Sequence, residues 1–108
     1  MTEDQVIKAL GALAHPIRLK VFRALVVSGP RGLIPSVMQE GLSVPASTLS
    51  FHLKELAHAG LVRAERDSRT LVYRAEYEHM NGLLGYLTEN CCEGAGCLVQ
   101  TADAACRC

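Results

Sequence analysis

The sequence predicts a mainly α chain (α+β) with one β-hairpin, and three observations carry that prediction. Apolar residues recur at helical spacing through most of the first 90 positions. Pro16, Pro35, Gly41, Pro45 and Gly60 punctuate those runs, as short helices joined by tight turns require. Two short strand candidates flank Asp67-Ser68-Arg69, a turn signal.

Thr2-Glu3-Asp4-Gln5 reads as a capping box, with the Thr hydroxyl at the N-cap and Gln three residues on. It opens a first helix to about residue 14. His15-Pro16 ends that helix, because the residue before proline avoids the helical region. Pro16 then begins a second helix, where its missing N–H costs nothing. Ile17, Val21, Phe22 and Leu25 give that helix an apolar stripe. Residues 28–32 form a loop, and a short third helix over about 35–40 stops at Gly41. Ser43-Val44-Pro45 opens a fourth helix to about residue 59. On it Leu49, Leu53, Leu56 and Ala57 fall on one side, and Ser47, Ser50, Lys54 and His58 on the other. That outer side carries donors rather than the Glu/Lys pairs of a solvated face. Strands over 61–66 and 70–75 follow, then a fifth helix over about 76–90 with Tyr77, Met80, Leu83, Leu84 and Leu87 on one face.

With 108 residues there is room for one domain, and a chain this short gains by dimerising. Glu3 and Asp4 stand where a secretory signal would be basic, and no apolar run could span a bilayer. A cytoplasmic location, away from membranes, is therefore expected. Net charge is zero, but its distribution is uneven. Up to Arg74 there are ten Lys/Arg against six Asp/Glu, and beyond it one against five. A basic region and an acidic region follow from this.

Short helix, turn, helix with a polar outer face, basic hairpin: this is the order of a winged helix-turn-helix, α1-α2-α3-α4-β1-β2-α5. Such a unit places its second helix in the major groove of double-stranded DNA. Small donors suit that helix, because bulky side chains would hold it out of the groove. Arg63, Arg66, Arg69 and Arg74 are candidates for phosphate contacts, and Arg69 at the turn for the adjacent minor groove. Lys54 is a further phosphate candidate.

LAHPIRLKVFRAL, STLSFHLKELAHAGLV and the RDSRTLVYRA hairpin together resemble the ArsR/SmtB family of metalloregulatory repressors. The resemblance covers roughly residues 6–87, and its specific part is Ser-x-His-Leu-x-x-Leu followed by Ala-Gly-Leu-Val. It implies a homodimer built through the first and last helices, bound to operator DNA. It also implies that Ser47, Thr48, Ser50 and His52 lie at or near the groove. Pro45-Ala46 departs from the polar residues many members carry there, and Phe51 stands where members often have a polar ring or cation. Phe51 fits either a thymine methyl or a packing role. His52 has a packing alternative too, and surface or packing roles are expected for His15, His58 and His79.

All five cysteines follow residue 90. Residues 1–90 are thus expected to form the DNA-binding and dimerisation domain, and 91–108 a Cys-rich tail carrying an inducer site. Adjacent helical side chains diverge by about 100°, so Cys91 and Cys92 can grip one ion only where the backbone is irregular. Gly94 and Gly96 let the chain turn back and bring Cys97 to the same point. Three thiolates suit trivalent arsenic or antimony, whereas zinc wants a fourth ligand. The resemblance supports this: the third helix lacks the family's arsenic-site cysteines, and the last helix lacks its zinc pattern. Thr88–Cys92 looks like the Thr-Glu-Asn-Cys-Cys stretch of arsenic repressors whose thiols follow the last helix. Cys106-Arg107-Cys108 is either a second clamp or an incidental tail pair, which Arg107 would make oxidation-prone. A thiol redox switch on the same fold and a soft-metal buffer are the competing readings. No triad order, paired carboxylates or phosphate-cradling loop points to an enzyme.

Overall fold

The computed structural model describes residues 1–94. Its order is α1 Glu3–Leu13, α2 Pro16–Ser28, a 3₁₀ turn Gly29–Arg31, α3 Pro35–Leu42 and α4 Ala46–His58. Then come β1 Val62–Asp67, β2 Thr70–Ala75, α5 Tyr77–Leu87 and a second 3₁₀ turn, Cys91–Gly94. This is the expected winged helix-turn-helix.

Local chemistry sets the helix starts. Thr2 Oγ1 accepts from the Gln5 N–H at 3.2 Å, and the Thr2 N–H donates to Gln5 Oε1 at 2.8 Å, closing the capping box. Pro16 opens α2, and His15 caps it: Nδ1 accepts from the Ile17 N–H at 3.2 Å. The third helix runs further than expected. Gly41 lies inside α3, and Ser43, in the left-handed region at φ 54°, closes it. Leu42 packs partly buried against the core, and that burial offsets the roughly 1 kcal/mol a helical glycine costs. The last helix is shorter than expected, ending at Leu87, and the Thr88 hydroxyl donates to the Leu84 carbonyl at 2.8 Å.

The strands pair antiparallel from Val62↔Ala75 to Asp67↔Thr70, leaving Ser68-Arg69 as a two-residue turn with Ser68 at φ 62°. Leu33 adds a single antiparallel bridge to Tyr73, its N–H donating at 3.0 Å and its carbonyl accepting at 2.8 Å. Gly32 makes this possible. Its backbone (φ 70°, ψ −172°) lies in a region essentially restricted to glycine, and a Cβ there would stand 2.6 Å from the Tyr73 carbonyl oxygen.

The core forms where the helices meet beneath the hairpin. Val21, Leu25, Leu49, Leu56 and Leu61 are essentially sealed, joined by Val6, Phe22, Met38, Leu53 and Leu83. Ala57, expected on the inner side of α4, is exposed; Ala59 is buried instead. On α5 the expected apolar face splits: Leu83 is buried, Tyr77 and Met80 pack partly, and Leu87 is 55% exposed. Among the described residues, no helix is long and apolar enough to cross a membrane.

Candidate nucleic-acid interface and thiol site

Helix α4 is pinned by its buried leucines, so its opposite side must face outward. Ser47, Ser50, Lys54 and His58 are all exposed there, and Thr48 is half-buried. Phe51 joins this stripe one turn after Ser47, with 53% of its surface exposed.

His52 is different. It is 5% exposed, and its Nδ1 accepts a 3.0 Å hydrogen bond from Arg18 Nε of α2. Its ring centroid lies 4.5 Å from that of His15 and 5.3 Å from that of Phe51. The groove contact expected of His52 does not fit this burial; its position on the helix turns the ring inward, toward the start of α2. Burial, reinforced by the His15 and Arg18 charges, holds its pKa below the usual histidine range against the opposing pull of Glu55. The imidazole is therefore neutral at pH 7.

In the wing, Arg66 and Arg69 are exposed and take part in no ion pair among the described residues. Arg63 and Arg74 are engaged within the fold, contrary to the expectation that all four would be available to phosphates. Arg63 bridges Glu65 at 3.1 Å and Glu76 at 2.7 Å, and Arg74 bridges Glu65 at 2.8 Å while donating to the Pro30 carbonyl. The register causes this: Arg63 pairs with Arg74 across the ladder, so both reach the Glu65 carboxylate on the same face. The Arg63 hydrogen bond, then the Arg74 charge, hold the Glu65 carboxyl below the usual range.

At the far end of α5 the chain leaves the α-helix before the thiols. Asn90 and Glu93 adopt left-handed φ values of 59° and 57°, on either side of a half-buried Cys91 whose N–H donates to the Thr88 carbonyl at 2.9 Å. Cys91 and Cys92 thus lie in the 3₁₀ turn Cys91–Gly94 and not on α5. The Cys92 side chain, Cys97, Cys106 and Cys108 lie outside what is described, and among the described residues no three His, Cys, Asp or Glu side chains gather as a metal site.

Sequence reasoning missed Arg18 and the double use of His15. The signal for His15 was present: an acceptor immediately before Pro16 is placed to take a first-turn N–H. The Arg18–His52 bond spans 34 residues, and no local pattern announces it.

An outward polar helix beside an exposed basic turn defines a winged-helix DNA-binding domain. A family model described as a helix-turn-helix domain matches residues 13–65. The HTH-type transcriptional regulator KmtR of Mycobacterium tuberculosis is 33% identical over 87 residues, covering 78% of this chain and 65% of KmtR. An uncharacterized HTH-type transcriptional regulator of Bacillus subtilis, YceK, is 36% identical over 70 residues, covering 64% of this chain and 69% of YceK. An ArsR-like transcriptional regulator from Rhodococcus superposes with a TM-score of 0.73 at 23% identity, covering 84% of this chain and 83% of that one. A homodimeric winged helix-turn-helix DNA-binding domain from Mycobacterium bovis, described as a possible ArsR-family regulator, gives 0.63 at 26%, covering 84% of each chain. The chain belongs to the HTH-type transcriptional regulators, and its fold is the winged helix-turn-helix of solved ArsR-like regulators. It is a DNA-binding regulator and not an enzyme.

Proposed function

We propose that the protein is a homodimeric repressor that holds operator DNA through α4 and the wing. It lets go when trivalent arsenic, or antimony, binds the thiolates of Cys91, Cys92 and Cys97. The observation that carries this reading is the position of Cys91. It stands four residues past α5, at the start of the 3₁₀ turn Cys91–Gly94, where left-handed Asn90 and Glu93 take the chain out of the regular helix just as the thiols begin. The homodimer draws support from apolar side chains left exposed on the two helices expected to pair: Ile7 and Leu10 on α1, Leu87 on α5. The Mycobacterium bovis relative is itself described as homodimeric.

An ion bound at the end of the dimerisation helix would bias how the two α4 helices are set apart. If it favours the DNA-incompetent arrangement, DNA must weaken ion binding by the same factor that the ion weakens DNA binding. Keeping these thiols reduced fits a cytoplasmic protein. Single substitutions Cys92→Ser and Cys97→Ser test the ligand set. Each should keep the DNA affinity of the reduced protein and lose most of its release by arsenite. Arsenite binding with no change in DNA affinity in the unaltered protein would instead mark an ion buffer.

A further inference from the structure

We propose that Arg18, on α2, is a DNA phosphate-binding residue, and that His52 is the positioning residue that holds it beside the exposed stripe of α4. The inference rests on the DNA-binding role of α4 and extends it to a residue outside the helix-turn-helix stripe and wing.

Arg18 is half-buried, and its Nε–H is committed to His52 Nδ1 at 3.0 Å. Its guanidinium carbon lies 5.6 Å from the centroid of the Phe51 ring. Those two contacts fix the guanidinium plane at both its edge and its face. Phe51 is exposed between Ser47 and Lys54 on the outward stripe, so Arg18 ends next to the surface expected to meet DNA. Among the described residues Arg18 makes no ion pair and no further side-chain hydrogen bond. The terminal N–H groups of the fork therefore remain for an acceptor from outside the protomer. A charged fork held in place by a neutral acceptor is a preorganised phosphate donor, losing less freedom on binding than a mobile side chain would.

The arrangement requires a neutral His52. The charges acting on it are His15 and Arg18 from the start of α2 and Glu55 from α4 itself. Protonated imidazole has no acceptor lone pair, so a proton on Nδ1 ends the Arg18 bond and sets a second cation against the guanidinium. His52→Asn keeps an acceptor close to the Nδ1 position and cannot gain that proton.

The test is fluorescence anisotropy of the reduced full chain on a duplex from upstream of its own gene, from pH 5.5 to 8 and across a salt series. Arg18→Gln should lower affinity several-fold at pH 7.5. It should also make the slope of log affinity against log salt shallower by about 0.9 for each phosphate no longer neutralised. His52→Asn should lose less affinity on acidification from pH 7.5 than the unaltered protein does. Combining both substitutions should remove that difference. An unchanged affinity and salt slope in Arg18→Gln, with the unaltered protein binding normally, overturns the phosphate role. Superposable pH profiles for the unaltered protein and His52→Asn overturn the positioning role. If His52→Asn fails to fold, the Arg18→Gln salt series decides. Failure of the unaltered protein to bind at any pH would sink the DNA-binding reading itself.

Discussion

Single residues set the backbone path and the pH response of this fold at two places. Gly32 lets the backbone pass close to the Tyr73 carbonyl in a conformation that side chains do not adopt. Gly32→Ala should destabilise the protein by at least about 2 kcal/mol, read as a lower denaturation midpoint with an unchanged m-value. His52 couples stability to pH. Its folded-state pKa is depressed, so its contribution is fully present above the unfolded-state value of about 6.5 and is lost as pH falls through the folded value. Thermal melts from pH 7.5 down to 5 should fall more steeply for the unaltered protein than for His52→Asn. At this scale the capping box, Pro16 and the exposed serines of α4 were legible, because each depends on neighbours within a turn of helix. The inward turn of His52 was not. Its place on the helix wheel is a borderline one, and the partner that settles it is 34 residues away.

Among the elements, the wing shows most clearly how placement decides function. β2 was readable to the residue, and β1, Val62–Asp67, began one position later than the pattern suggested. What the one-dimensional pattern could not give was cross-strand register, which ties Arg63 and Arg74 to Glu65 and leaves Arg66 and Arg69 outward. Pairs this exposed contribute little to stability and compete with phosphates for the same guanidinium groups. Glu65→Gln should therefore leave the melting temperature nearly unchanged while strengthening DNA binding, with the salt slope steeper by about 0.9 for each further phosphate neutralised. An unchanged affinity would mean that this face of the wing points away from the duplex. Helix ends were the least legible feature. Gly41 looked like a stop for α3, but the burial of Leu42 one residue on carries the helix past it.

For the whole molecule, the expected dimer and the expected ion site meet at α5. Leu87 is more than half exposed at the C-terminal end of that helix, and Ile7 is 60% exposed on α1. A Leu87→Glu substitution should give a folded protein that elutes as a monomer in size-exclusion chromatography with light scattering. It should also lower operator affinity by more than about tenfold, since two half-sites must be held at once. A dimer unaffected by that change would place the interface elsewhere. The DNA-binding half of the molecule was legible because it rests on helical periodicity and turn chemistry. The thiol half rests on a vicinal pair and two glycines, and only its first member, Cys91, has a described side-chain environment. Everything proposed for regulation depends on Cys91 converting ion binding into DNA release. Anisotropy of the reduced protein on its upstream DNA, titrated with arsenite in the unaltered chain and in Cys91→Ser, tests that conversion without an intermediate step. Release of the unaltered protein and retention of the variant is the expected outcome. Retention of both, with release of the unaltered protein by peroxide, would refute ion sensing and make oxidation the signal.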